Sequence, residues 1–124
     1  MIRFRNATAQ YHKGITLTLM LKKLEVYEYA GQNQVQTRDH GYRPQPFGGT
    51  ITIMATTSAG LQGERQKWYA ERGQVGTLYI QYQGQLSNVR LMNAVPVEAP
   101  IHSPLSTGDD WIQHMQLSFQ QESV

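Results

Sequence analysis

Seven residues beginning at position 15 read Ile-Thr-Leu-Thr-Leu-Met-Leu, and this strict period of two constrains the chain more than any other feature. In an extended strand the alternation places Ile15, Leu17, Leu19 and Leu21 on one face, whereas a helix would scatter them around its axis. Threonine at the intervening positions favours the pleated backbone, because its branched Cβ is already restricted. Three further segments carry the same period: residues 50–56, residues 77–82, and residues 111–120. In the last, Trp111, Met115, Leu117 and Phe119 share one parity, and Ile112, His114, Gln116 and Ser118 share the other. The reversal Gln83-Gly84-Gln85 joins residues 77–82 to a returning strand over residues 88–97, which makes a hairpin. Five or six strands in this order predict a mainly β chain, an antiparallel β-sandwich or partly open barrel.

The first strand is expected to run over residues 15–29, with a change of phase at Lys22-Lys23, after which Leu24 and Val26 continue on the opposite parity. A slip of one residue moves every later side chain to the other face, so the lysines mark either a bulge or a passage from one sheet to another. Residues 31–49 are polar and rich in glycine, and Pro44 and Pro46 remove two backbone donors. They read as a long polar loop, and loops of that length are usually functional or disordered. Contact with a partner is expected there, through Arg38, Tyr42, Arg43 and Phe47, together with the apolar face of Ile15, Leu17, Leu19 and Leu21.

One segment changes to a helical period. Leu61, Arg65, Trp68 and Arg72 form a stripe, Ser58 fits an N-cap, and Gly73 stands where a left-handed C-cap belongs. Gly60 and Gly63 weaken the first turn, so the helix is expected over residues 64–72. It is short, and it plugs one end of the β structure through Leu61 and Trp68. Trp111, Leu117 and Phe119 complete the expected core anchors. At 124 residues the chain has the size of one domain and needs no disulfide or metal to fold.

Chemistry is sparse. The chain has no cysteine, which excludes a disulfide framework, a thiolate metal site and a cysteine nucleophile. His12, His40, His102 and His114 lack the spacing of a metal-binding pair, and surface histidines are the simpler reading. The acidic pair Asp109-Asp110 follows Thr107-Gly108 and suits a turn better than acid–base work. Neither Gly48-Gly49 nor Gly60-Leu61-Gln62-Gly63 completes a phosphate-cradling motif, and no serine sits in a nucleophile elbow. The expectation is therefore a protein that is not an enzyme and carries no cofactor or metal. Eleven basic residues against nine acidic ones leave a charge of +2, too balanced and scattered for a dedicated DNA binder. Tyr79 and Tyr82 with Arg90 could stack single-stranded bases, but the two tyrosines lie on opposite parities of one strand. Fifteen glutamines reflect either a surface suited to hydrogen-bonding another copy or a compositional habit. No apolar run reaches a membrane span and the first residues lack a secretory h-region, so a soluble protein made in a cytoplasm is expected.

Taken in order, the strand at residues 50–56, the helix at 64–72, the hairpin opened by Gly76-Thr77-Leu78-Tyr79-Ile80 and the closing strand from Trp111 resemble the β-barrel modules of phage tail-tube and distal-tail (baseplate adaptor) proteins. The long strand at residues 15–29 is similar to the extended hairpins with which such rings line a channel. The resemblance covers about three-fifths of the chain and is one of pattern. It implies a viral structural protein of the virion tail, assembled in the host cytoplasm into a homo-oligomeric, commonly hexameric ring. Its partners would be other copies of itself and adjacent tail or baseplate proteins, with DNA only as cargo through a channel and no membrane. Tube lumens tend to be acidic and this chain is not acid-rich, which favours a terminator, adaptor or baseplate level over a repeated tube subunit. Two other classes remain open: a generic protein-binding β module, and a single-strand nucleic-acid-binding barrel.

Overall fold

The structure, a computed structural model, describes residues 1–28, 35–102 and 111–123, with the backbone alone over residues 21–28 and 35–41. The chain is mainly β, with a single helix among the described residues. Strands β1 (Ile2–Phe4) and β2 (Ala7–Ala9) form a short hairpin, and β3 (Tyr11–Lys13) follows. After β4 (Leu21–Glu28), β5 (Val35–Arg43) and β6 (Phe47–Ala55) comes helix α1 (Ser58–Ala70). The chain then runs through β7 (Val75–Ile80), β8 (Gly84–Pro96), β9 (Ile101–His102) and β10 (Trp111–Gln121).

Eight of these strands make one antiparallel sheet in the order β2-β1-β7-β8-β10-β6-β3, with β9 beside β10; β4 and β5 make a separate two-stranded sheet. The large sheet curls until β2 approaches β6, and α1 packs on β2, β6 and β10 across that gap. The strand ladder does not close there, so the body is an open sheet and not a complete barrel.

Alternation and burial agree along β10, where Met115, Leu117 and Phe119 are buried against Ile51 and Ile53 of β6 and Leu91 and Ala94 of β8. Phe119 meets Phe4 edge-on at 5.6 Å and stacks on Phe47 at 5.7 Å, which ties the N-terminal hairpin to the far side of the sheet. Leu61 and Trp68 bring α1 into the same core, and Trp111 packs against it from the rim. The hairpin of β7 and β8 forms, but its reversal lies at residues 81–83, two residues earlier than expected, with Tyr82 at φ 70° and Gln85 already paired with Tyr79.

Five expectations change. Residues 15–20, read as the start of the first strand, are not in a strand; β4 begins only at Leu21. The register explains why. Leu21 lies opposite Arg43, so continuing the ladder would set Met20 and Thr18 against Pro44 and Pro46, which have no N–H to donate. Residues 31–49 are not one long polar loop, because β5 occupies Val35–Arg43 and β6 begins at Phe47. The helix starts six residues earlier than residue 64 and ends at Ala70, before Arg72. Thr57, not Ser58, is the cap: its φ of −132° is extended, and its hydroxyl oxygen accepts from the Gly60 N–H at 3.0 Å. Finally, β1 and β2 add a hairpin that the sequence pattern left unread. The phase slip at the lysines resolves as a bulge, with the β4–β5 register shifting between Lys22 and Leu24.

Candidate functional site

With residues 15–20 denied a strand partner, the chain carries them as a strap between β3 and β4. Gly14, at φ 78°, turns the chain away from β3. The strap then passes tightly over Gly49, where an added Cβ would come within 2.8 Å of Ile15 Cγ1 and 2.9 Å of the Gly14 carbonyl carbon. Ile15 is buried, Leu17 is partly buried against the core, and Leu19 is 65% exposed.

Glutamine side chains replace the missing strand. The Gln83 amide donates to Ile15 O at 2.9 Å and accepts from the Leu17 N–H at 3.0 Å. That pairing with the carbonyl of residue i and the N–H of residue i+2 is what one residue of a parallel neighbouring strand would make, and glutamine offers both the donor and the acceptor without charge. Gln121, itself 3% exposed, accepts from the Met20 N–H at 3.0 Å and donates to Ser87 O at 3.3 Å. Thr18 adds a bond from its hydroxyl to Thr16 O at 2.9 Å. Among the described residues, every hydrogen bond of the strap backbone goes to a side chain.

Gln113 does similar work deeper in the body. It is 2% exposed, accepts from an Arg65 guanidinium N–H at 2.9 Å, and donates to Glu98 O at 2.8 Å. Gln81 accepts from the N-terminal ammonium at 3.1 Å. These glutamines act within the chain, where surface contact between copies had been one expectation. The signal was present in β10: Gln113 and Gln121 occupy the same parity as Met115, Leu117 and Phe119, and a polar residue on a core parity must find internal partners.

The hairpin β4–β5 leaves directly from the strap. Its strands pair only with each other among the described residues, from Leu21 opposite Arg43 to Glu28 opposite Val35. Of the residues expected to meet a partner, Ile15 and Phe47 are engaged by the chain's own core, and Leu17 partly so. Leu19, Tyr42 and Arg43 are exposed. Leu21 and Arg38 take hairpin positions, Arg38 opposite Glu25; their side chains lie outside the described residues, as does that of His40.

A second feature lies where the sheet fails to close. β3 pairs with β6 from Thr50 to Thr52, and β2 pairs with β1, so β2 and the end of β6 face one another without a ladder. A notch of about 210 Å³ separates them, lined by Thr8, Ala9, Gln10, Thr52, Ile53 and Met54, with Glu64 of α1 at its edge.

Compared with known proteins, the sequence matches no family model and no curated protein.

The other candidate chemistry is dispersed. His114 Nδ1 lies 2.9 Å from Glu98, whose carboxylate also accepts the His114 backbone N–H at 2.7 Å. That backbone bond, aided by the side-chain contact, holds the Glu98 carboxyl below its ordinary value. Burial lowers the pKa of His12, with a smaller contribution from the positive N-terminus, and His12 Nδ1 is buried with no partner among the described residues. His102 stacks on Trp111 at 4.4 Å. Among the described residues no three His, Asp or Glu side chains group as a metal site would require, and Asp109-Asp110 lies outside them. Tyr79 is half-buried beneath the Arg3 guanidinium, 5.6 Å from its ring, whereas Tyr82 projects from the β7–β8 turn at 97% exposure. Arg90 is held by Glu122 at 2.8 Å and by Gly73 O at 2.5 Å. The two tyrosines and Arg90 are thus not gathered into one stacking platform. Gly48 and Gly49 are strand residues opposite Ser118 and Leu117. Among the described residues no helix is long and apolar enough to cross a membrane.

Proposed function

We propose that the chain is a structural subunit that joins copies of itself, edge to edge, into a ring in a phage tail or related tail-like injection machine. The terminator, distal-tail and baseplate levels suit it best. The observation that carries this reading is the β4–β5 hairpin, two strands of 8 and 9 residues that, among the described residues, pair only with each other. A lone two-stranded hairpin is marginally stable in water, and its outer edges present rows of unpaired backbone groups. A closed ring pairs such edges on every subunit at once, which an open dimer does not.

The tail assignment is supported by the order of elements. Strand β6, helix α1, hairpin β7–β8 and closing strand β10 succeed one another as in the tail modules that the sequence resembles. On this reading the protein acts by assembly and not by catalysis. Neighbouring tail or baseplate proteins stack above and below it, and DNA passes only as cargo. Light scattering over a range of concentrations, with negative-stain microscopy of the same samples, tests the proposal. Closed rings are expected, at about 85 kDa for six chains of 14.1 kDa each. A particle that stays at 14.1 kDa at every concentration, with no rings in the images, refutes self-assembly and leaves a module that binds the edge of another protein.

A further inference from the structure

Tyr82 holds a backbone conformation that its side chain makes costly. The Gln83 N–H donates to Ile80 O at 3.0 Å, which closes a four-residue turn with Tyr82 in its third position at φ 70°. Glycine or asparagine is usual there, because a bulky side chain crowds the backbone at positive φ. Tyr82 gains no packing in return. It is 97% exposed, the most exposed large apolar side chain among the described residues, and it makes no hydrogen bond or ring contact with them. Strain kept without local benefit points to a residue that serves a function.

The surface around it shares one property. Leu19 follows Tyr82 in exposure, at 65%, and the two flank a single joint. The Gln83 amide, next in the chain to Tyr82, fastens the strap at Ile15 O and at the Leu17 N–H, two residues before Leu19. Gln121 ties the Met20 N–H to Ser87 O of β8. Strap and turn thus make one end of the body, and its two segments, residues 14–21 and 79–89, contain no charged side chain. Two cations at its margin are taken up, the N-terminal ammonium by Gln81 at 3.1 Å and Arg3 by the face of Tyr79 at 5.6 Å.

We infer that this end of the molecule binds the same end of a second copy, with Tyr82 and Leu19 as its apolar anchors. The inference goes beyond the ring reading and does not depend on it. A ring joins subunits through hairpin edges, whereas this contact pairs two chains, or two rings, face to face. The chemistry of the surface selects the occupant. A phosphate backbone or an anionic bilayer is bound through cations, and segments without charge offer none, so the partner is a protein. The polar groups here are hydroxyls and amides. Thr16, Thr18, Tyr82, Gln85 and Ser87 can each donate and accept, so each can bond to its own kind. A patch of lysines or of glutamates would repel its copy, and this one does not. That self-complementarity is what a two-fold contact requires, because the same patch serves both subunits. Tyrosine is also among the side chains that carry most of the binding energy at protein interfaces.

Light scattering and sedimentation of the unmodified protein are expected to show association in pairs, of chains or of rings, that strengthens with concentration. Tyr82→Gly separates folding from binding. It relieves the turn, so its urea midpoint is expected to rise, while the concentration for half-association rises at least about ten-fold. If Tyr82→Gly does not fold, as judged by circular dichroism, Tyr82→Asn, which also accepts positive φ, takes its place. Thr16→Lys and Thr16→Glu, on the exposed part of the strap, test the two-fold. At low salt each alone is expected to pair at least about ten-fold more weakly, and an equimolar mixture to recover, because only unlike chains then attract. A Tyr82→Gly chain whose urea midpoint falls, or that pairs as the unmodified protein does, overturns the inference. So do charged variants that pair equally well alone and mixed. Single rings that never pair overturn it and leave the ring reading standing, and pairs without rings do the reverse. A protein that stays monomeric at every concentration overturns both.

Discussion

Trp68 is the largest fully buried side chain in the structure, and its indole Nε1–H is buried with no hydrogen-bond partner among the described residues. These two facts act in opposite directions, and two substitutions separate them. Trp68→Ala removes the ring and leaves a cavity between α1 and the sheet, at a cost of about 3–5 kcal/mol. Trp68→Phe keeps most of the ring and forfeits the burial of two ring carbons, about 1.5–2 kcal/mol at ~0.8 kcal/mol per buried carbon. It also removes the unsatisfied donor, whose desolvation costs about 1–3 kcal/mol. The two terms nearly cancel, so Trp68→Phe is expected to lie within about 1 kcal/mol of the unsubstituted protein. Urea titration followed by far-ultraviolet circular dichroism measures both, with the slope checked for constancy so that a midpoint shift means a stability change. A Trp68→Phe loss as large as that of Trp68→Ala would show that the indole N–H has a partner in solution. A Trp68→Ala loss below about 1 kcal/mol would show that the ring does not anchor the helix at all.

The Arg5 guanidinium lies 2.7 Å from the Glu71 carboxylate, which is 8% exposed, and it also donates to Val75 O at 3.0 Å. Arg5→Ala strands that carboxylate and should cost about 1–3 kcal/mol by denaturant titration. Arg5→Gly should lose less, because glycine relieves the φ of 55° at this turn, and an equal loss would refute the strain argument. Gly49→Ala drives a methyl group against Lys13 O and Ile15, and should cost about 1–3 kcal/mol while quickening amide exchange over residues 15–20; unchanged exchange would mean that the strap does not depend on this crossing. Because the fold lowers the Glu98 carboxyl below its ordinary value of 4.5, its contribution is present above pH 4.5 and is lost as pH falls through the folded value. Glu98→Gln should therefore flatten the acid limb of a stability–pH profile below pH 4.5, and a carbon-detected titration of Glu98 with its midpoint at or above 4.5 would contradict the geometry.

What could be read from the sequence was whatever one buried face imposes on a period. In β10 the alternation of Met115, Leu117 and Phe119 with Gln116 and Ser118 is the alternation of core and exterior, and the pattern names the strand. The same holds for Ile51 and Ile53 in β6 and for Leu61 and Trp68 in α1. β5 carries no such period. Its place comes from backbone pairing with β4, so Val-Gln-Thr-Arg-Asp-His-Gly-Tyr-Arg reads as a loop. β1 and β2 bury Ile2, Phe4, Ala7 and Ala9, but three residues are too few to show a period. The strap failed for the opposite reason, because its period is clear and the residues that cancel it, Pro44 and Pro46, are remote in sequence. The cap at Thr57 was missed by one position because serine and threonine serve that role almost equally. The notch was not legible at all, since it depends on how far the sheet curls.

A chain with several open edges must keep them from pairing at random, and this one uses two different means. β4 has a bulge at its lysines, between Lys22 and Leu24, and bulges and lysines both discourage a passing strand from docking. Such guards are permanent. The strap has no charge, no proline and no bulge of its own, and by pattern it is the most adhesive segment of the chain. Its guard is a pair of glutamine amides that occupy its backbone groups. A neutral amide satisfies a donor or an acceptor but supplies only isolated bonds, whereas a partner strand in register supplies a continuous ladder. The amides therefore protect the strap against a chance encounter that offers one or two bonds, because its Leu17 and Met20 N–H groups and its Ile15 carbonyl are already engaged.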